Sequence, residues 1–287
     1  MQTITVGGQG STAVNFCNTG SLSILAGTCA IESRDTTLKT AETLKSVCEK
    51  LGIGLVYKGS FDKANRTSIT GARGTGMDEG LKILEEVRNT FDVPVVTDVH
   101  ESQQAEAVGQ VVDMLQIPAF LARQTDLLIA CAKTGKAVNI KKAQFMAPAD
   151  MAQSAKKVTD SGNNQVLLTE RGTTFGYNNL VVDMRGLVQM AETGFPVLMD
   201  ATHAVMQPST HGTASGGRRE FIAPLARAAL AIGVSGLFLE THPNPASAIS
   251  DKETQIPLNL MPELLAELKA LDDFCKGQQR LQLPSAA

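Results

Sequence analysis

Pro94-Val-Val-Thr-Asp98, Ser102-Gln-Gln-Ala-Glu-Ala-Val-Gly-Gln-Val-Val112 and Met114-Leu-Gln-Ile117 follow one another almost without a gap. The outer two runs are short and apolar without polar alternation, the pattern of parallel strands covered on both faces. The middle run spaces its apolar residues as a helix does. Together they read as a strand–helix–strand unit. Each strand closes on a polar residue fit for chemistry: Asp98, with His100 just beyond, and Gln116.

The unit repeats outward in both directions. Strand-like runs recur at Ser21–Cys29, Gly54–Lys58, Ala137–Lys141, Gln165–Thr169, Pro196–Asp200 and Gly236–Glu240. Helical spacing recurs at Thr36–Leu51, Gly76–Phe91, Thr125–Gly135, Ala149–Asp160, Val182–Thr193 and Phe221–Gly233. The pattern predicts an α/β chain folded as a (β/α)8 TIM barrel. Cys29, Lys58, Asp98, Gln116, Lys141, Arg171, His203 and Glu240 would then converge on one rim, where barrel enzymes place their chemistry. An open doubly wound sheet alternates in the same way, but no Gly-x-Gly-x-x-Gly follows a strand here. Short alternating patches around Gly7-Gly-Gln-Gly10 predict an N-terminal β-hairpin. Residues 1–287 are expected to form a single catalytic domain: hairpin 1–20, barrel 21–275 and tail 276–287.

Composition excludes several function classes. A net charge of −3 and a pI near 5.9 leave no basic footprint for nucleic acid. The most apolar stretch, Ala223–Val234, is interrupted by Arg227 and too short to span a bilayer. Met1-Gln-Thr-Ile-Thr-Val6 has neither the basic nor the apolar region of a secretory signal. The five cysteines, at 17, 29, 48, 131 and 275, form no Cys-x-x-Cys pair. Reduced thiols and a cytoplasmic location are expected.

Two constellations stand out. Lys58, Lys63, Arg66, Lys141, Lys142 and Arg171 all fall at or just beyond strand ends. Crowded at one mouth, they would attract small phosphorylated or carboxylated substrates, although any one of these lysines could be a solvated surface charge. Cys29, His203, Glu240 and Asp251 lie near the ends of strands one, seven and eight, which are neighbours in a closed barrel. Their S, N, O, O donor set suits a divalent ion such as Zn²⁺, Fe²⁺ or Mn²⁺. A buried structural Cys29 is the plainer reading, and His242 and His211 are rival ligands.

Other features are weaker. No Gly-x-Ser-x-Gly elbow is present. Asp35 is expected to cap the first helix. Ser215-Gly-Gly217 could cradle a phosphate ahead of a helix. Three connections exceed what a barrel requires, Gly59–Thr75, Arg171–Val181 and Ala204–Arg219, and the last reads as a lid.

Lys58-Gly-Ser-Phe-Asp-Lys-Ala-Asn-Arg-Thr-Ser68 closely resembles the signature of the 3-deoxy-D-manno-octulosonate 8-phosphate synthases. The likeness runs through Thr97–Glu101, Gln116–Asp126, Asn139–Gln144, Arg171–Tyr177, Asp200–His203, Ser215–Arg219 and Glu240–Pro243, nearly the whole chain. It implies condensation of phosphoenolpyruvate with D-arabinose 5-phosphate and water, releasing inorganic phosphate, in lipopolysaccharide precursor synthesis. Lys63, Lys141 and Arg171 match positions that hold phosphoenolpyruvate, with Gln116 and Gln144 beside them. Lys58 matches the lysine between the two substrates. Asn65, Arg66 and Thr67 match the segment that binds arabinose 5-phosphate, where a neighbouring subunit supplies the phosphate contact, so a homotetramer is implied. Asp98 matches a group that orients the sugar hydroxyls. Lys58, Lys63, Asn65, Asp98 and His203 are the implied catalytic set.

The family has metal-dependent and metal-independent members. Cys29 stands where the metal-independent class has Asn, and Ser250-Asp-Lys-Glu-Thr-Gln-Ile-Pro-Leu258 resembles a stretch of the metal-dependent class. The resemblance therefore implies a divalent cofactor on Cys29, His203, Glu240 and Asp251. Thr28 and Gly59 depart from the usual Pro and Ala and are expected to loosen the rim. The nearest competing activity is that of the 3-deoxy-D-arabino-heptulosonate 7-phosphate synthases, which take erythrose 4-phosphate. Those typically read Lys-Pro-Arg-Thr where this chain has Lys63-Ala-Asn-Arg-Thr67. A catalytically silent barrel retained for binding is the remaining alternative.

Overall fold

Apolar runs that bury both faces need a sheet with no free side, and in this chain they obtain one by closing a ring. The computed structural model describes residues 2–287 apart from 67, 177, 209–215, 280, 282 and 284–287. A hairpin, β1 (Ile4–Val6) and β2 (Val14–Phe16), precedes β3 (Ser23–Ala30), α1 (Arg34–Leu51), β4 (Gly54–Ser60), α2 (Met77–Phe91), β5 (Val95–Asp98) and α3 (Gln104–Val111). Next come β6 (Met114–Ile117), α4 (Thr125–Lys133), β7 (Ala137–Lys141), α5 (Met151–Thr159), β8 (Val166–Glu170), β9 (Thr173–Thr174), β10 (Leu180–Val181) and α6 (Met184–Ala191). The chain continues through β11 (Val197–Asp200), β12 (Met206–Gln207), β13 (Gly216–Gly217), α7 (Ile222–Ile232), β14 (Gly236–His242), β15 (Ile256–Pro257) and α8 (Met261–Lys276).

The parallel order β11-β8-β7-β6-β5-β4-β3-β14 closes through a β11–β14 pairing, giving the expected (β/α)8 barrel. Eight inward residues, Leu25, Val56, Val96, Met114, Ala137, Leu167, Leu198 and Phe238, fill its lower interior. Ile4, Val6, Val14 and Phe16 of the hairpin join that same cluster and stopper the bottom. Two residues further along each strand stand Gly27, Lys58, Asp98, Gln116, Asn139, Thr169, Asp200 and Glu240. Side chains alternate along a strand, so the layer above the apolar floor is polar at every position but one. That exception is Gly27, where a Cβ would lie 1.9 Å from the Lys58 carbonyl oxygen. Only a residue without a side chain lets the two strands meet there.

Helices α1 to α7 end close to where periodicity placed them, whereas α8 was not anticipated. Ser33, not Asp35, caps α1: its hydroxyl accepts from the Thr36 backbone N–H at 3.2 Å. Asp35 falls instead in the first turn, where its charge complements the helix dipole. The two-residue ladders β9–β10 and β12–β13, and β15 beside β14, were not anticipated, because elements this short have no period to detect. Gly216 and Gly217 pair with Gln207 and Met206 rather than forming a loop at a helix start; Ser215 and His211 lie outside the described residues, as do several positions of the expected lid.

Candidate active site

The polar layer is wired side chain to side chain. Gln116 donates to Asp98 at 2.5 Å and accepts from Asn139 at 2.9 Å, and the Thr169 hydroxyl donates to Asn139 at 2.7 Å. Ser60 also donates to Asp98. Buried polar groups this far from solvent are costly unless partnered, and here each fixes the next. Burial opposes the charge on Asp98, but Lys58 and Lys63 outweigh it and hold its carboxyl well below the usual range.

Lys58 spends its three ammonium protons on Glu240 at 2.6 Å, the Cys29 carbonyl at 2.7 Å and the Thr28 carbonyl at 3.3 Å. Lys141 donates to Asp200 at 2.5 Å and lies 3.4 Å from the centre of the Phe238 ring, over the floor of the barrel. Asp200 in turn holds His203, accepting from its backbone N–H at 2.8 Å and contacting Nδ1 at 2.7 Å. That contact orients the ring and leaves Nε2 pointing to Glu240 Oε2, 3.5 Å away.

Around this arrangement opens a cavity of about 320 Å³. Lys58, Lys63, Asn65, Asp98, Gln116, Lys141, Gln144, Arg171, His203 and Glu240 line it, with His100 and the exposed Phe120. The strand ends therefore bring together most of the residues singled out in the sequence. Arg171 is buried, with Nη1 unpartnered and Nη2 reaching only the Met206 sulfur at 3.6 Å. A buried guanidinium with a free donor beside a cavity is suited to an anionic ligand. Burial works against the charge of Lys63, yet the carboxylates of Glu240, Asp98 and Asp251 around it keep it firmly protonated.

Cys29, His203, Glu240 and Asp251 offer ligand atoms that all lie within 4.8 Å of one another. Cys29 Sγ donates to Asp251 Oδ2 at 2.8 Å. Burial, then the Asp251 and Glu240 carboxylates, pushes this thiol well above its usual pKa. Glu240 Oε2 is buried without a hydrogen bond. An orphaned carboxylate oxygen, an imidazole Nε2 facing it and a thiol crowded by two acids fit a divalent cation, which would relieve the repulsion among them. His242, the rival ligand, stands apart: its Nδ1 accepts from the Asn244 N–H at 3.0 Å and its Nε2 faces Glu32 at 3.5 Å.

Two of the six expected mouth cations lie elsewhere. Arg66 donates to the Ala72 and Ile249 carbonyls at 2.7 Å and to the Ser250 hydroxyl at 3.0 Å, tying the loop after β4 to the loop that carries Asp251. Lys142 is wholly buried behind the cavity wall. Thr67 lies outside the described residues. Sequence reasoning gave no part to Asp200, Asn139, Thr169 or Gln255. Gln255 accepts from the Cys29 N–H at 3.2 Å and donates to the Ser250 carbonyl at 2.9 Å, joining the two ligand-bearing segments. The inward position two residues past each floor residue was the available signal for Asp200, Asn139 and Thr169.

A family model described as the DAHP synthetase I family matches residues 11–276. The chain belongs to that family. Within it, the chain is 54% identical over 270 residues to the 2-dehydro-3-deoxyphosphooctonate aldolase of Agrobacterium fabrum, covering 94% of this chain and 96% of that protein. The protein of the same name from Magnetococcus marinus is 55% identical over 269 residues, 94% of each chain. That of Brucella ovis is 53% identical over 264 residues, 92% of this chain and 95% of its own. Identity at this level over nearly full length groups the chain with these aldolases of the DAHP synthetase I family. No helix among the described residues is long and apolar enough to cross a membrane.

Proposed function

We propose that the protein condenses phosphoenolpyruvate with D-arabinose 5-phosphate and water, giving 3-deoxy-D-manno-octulosonate 8-phosphate and inorganic phosphate. The observation that carries this reading is the convergence of Lys63, Lys141 and Arg171 on one cavity whose wall includes His203 and Glu240 of the four-ligand cluster. The relatives, known as 2-dehydro-3-deoxyphosphooctonate aldolases, support it over the heptulosonate alternative.

Lys63, Lys141 and Arg171 would hold the phosphate and carboxylate of phosphoenolpyruvate, flanked by Gln116 and Gln144. Lys58, already committed to Glu240, lies between the substrates and keeps that carboxylate charged and oriented. Asp98, ionised at the far side, would accept from the sugar hydroxyls beside Asn65. Carbon 3 of phosphoenolpyruvate attacks the aldehyde, water adds at carbon 2, and the C–O bond to phosphate breaks. Because the cations are already fixed, the gain comes from positioning and from charge stabilisation that needs no reorganisation.

Cys29, His203, Glu240 and Asp251 would hold a divalent ion, with Zn²⁺, Fe²⁺ and Mn²⁺ the compatible choices. When bound, the ion would orient or polarise water or the aldehyde. Arg66 and Thr67 belong, in this reading, to a sugar-phosphate site shared across subunits of a cytoplasmic homotetramer, as the family resemblance implies; to serve a neighbour, Arg66 would have to give up some of its bonds to Ala72, Ile249 and Ser250.

Phosphate release measured with each aldose tests the assignment. Turnover with arabinose 5-phosphate that stops on exhaustive chelation and returns with Mn²⁺ is expected. Preference for erythrose 4-phosphate would overturn the substrate assignment, and activity indifferent to chelation would overturn the metal.

A further inference from the structure

We infer that Lys142 and Glu170 form a positioning couple for the anion site, set back to back with Lys141 and Arg171. β7 and β8 pair with Lys141 opposite Thr169, so the next residue on each strand, Lys142 and Glu170, falls side by side. Side chains alternate across a strand, and what faces the cavity at Lys141 and Arg171 faces the supporting wall at Lys142 and Glu170. Neither Lys142 nor Glu170 lines the cavity, and both are buried.

Lys142 Nζ is ringed by five oxygens: the carbonyls of Ala143 at 3.2 Å, Met146 at 3.4 Å and Gly172 at 3.4 Å, the Thr173 hydroxyl at 3.1 Å and Glu170 Oε1 at 3.4 Å. An ammonium has three protons, so these contacts are shared, and the group acts as the hub on which two loops turn. One loop carries Gln144. The other begins at Arg171. Glu170 Oε1 also accepts from the Arg171 and Gly172 backbone N–H groups at 2.8 and 2.6 Å. It thereby fixes the backbone from which the Arg171 guanidinium projects, at a turn where Gly172 takes φ +92°. The Thr174 N–H to Gln144 carbonyl bond, 3.0 Å, closes the link between the loops.

Removing the Lys142 charge would leave a buried carboxylate facing one cation fewer and free both loops to shift. Misplacement on the scale of an ångström costs about a hundredfold in an aligned site. The loss should fall on one substrate only, because no contact of the couple reaches the Asp98 side of the cavity. This inference rests on the proposed function solely for the identity of the anion.

The test measures KM for phosphoenolpyruvate and for arabinose 5-phosphate, and binding of phosphoenolpyruvate alone by calorimetry, in wild type, Lys142→Met and Glu170→Gln. The expected result is a rise of about tenfold to a hundredfold in the phosphoenolpyruvate KM and dissociation constant, with the sugar KM within about threefold and metal content unchanged. Equal shifts in both KM values, or lowered melting temperature with neither KM altered, would overturn it. Should Lys142→Met not fold, Glu170→Gln removes the negative charge of the couple and Thr173→Val one hydrogen bond to Lys142, each keeping shape, and an unchanged phosphoenolpyruvate constant in both refutes the couple. A wild type that binds phosphoenolpyruvate but does not turn over the sugar would sink the proposed function, and calorimetry would still decide the positioning claim.

Discussion

Replacing Asp200 by Asn removes a single charge from the centre of the polar layer. In the native protein that carboxylate is fully buried, accepts from Lys141 Nζ at 2.5 Å and holds His203 through Nδ1 at 2.7 Å. Breaking a buried pair by deleting one partner costs ~3–5 kcal/mol, chiefly because the other charge is left uncompensated. For a chain of this size that corresponds to a fall in melting temperature of roughly 5–8 °C. Lys141→Met alone should cost less, because Asp200 keeps its two contacts to His203. The double variant should be no worse than Asp200→Asn, giving a coupling of ~2 kcal/mol within the range for contacting residues. Urea unfolding of the four proteins, stripped of metal and at one pH, measures each term. A second readout comes from the ring: with Nδ1 no longer held by a carboxylate, metal affinity should weaken by about tenfold or more. Additivity of the two substitutions within ~0.5 kcal/mol would show that Lys141 and Asp200 are not a pair, and the account of the polar layer would fall with it.

Other outcomes follow from the same geometry. Gly27→Ala forces a methyl against the Lys58 carbonyl and should cost ~3 kcal/mol or more; a variant melting within about 2 °C of wild type would contradict the close approach of β3 and β4. Cys29→Asn, on the family resemblance, should retain measurable turnover in the presence of chelator where the wild type has none, and a folded but inactive variant refutes this. Asp98, Asp200, Glu240 and Asp251 are each raised by burial and lowered further by neighbouring cations, with a net downward shift. Their stabilisation is fully present above the ordinary carboxylate values near 4 and is lost as pH falls through the lower folded values. His100, kept neutral by burial, adds an earlier and smaller decline that begins near 6.5. The urea midpoint should therefore drop steeply below about pH 4; a midpoint that rises there would be incompatible with these shifts.

Much of the barrel was legible because a ring of parallel strands leaves a distinctive trace: apolar runs without alternation, each ending in a polar residue. Ala137–Lys141 was read with its observed bounds for this reason. The four metal-ligand candidates could be grouped because closure makes the first and last strands neighbours, although they are scattered in sequence. Lys142 shows the limit of that reasoning. Adjacent strand residues face opposite ways, so Lys141 and Lys142 could not both enter the mouth, and the clue was alternation rather than charge. Asp200 had been read only as a strand end. Its importance depends on which residue lies across the barrel, information held in register and not in spacing. Arg66 illustrates a further gap, since loop side chains choose partners by the path of the backbone, and that path has no periodic signature.

The hairpin under the barrel has a consequence for traffic. With Phe16 and its neighbours packed against the barrel floor, the lower end is closed among the described residues, and reactants and products must pass the rim formed by the strand ends. Under the proposed substrate placement, liberated phosphate would leave from beside Lys63, Lys141 and Arg171 by the same rim that admits the sugar. Inorganic phosphate should accordingly compete for the cationic wall of the cavity, so that the order in which molecules come and go is imposed by architecture before any chemistry begins.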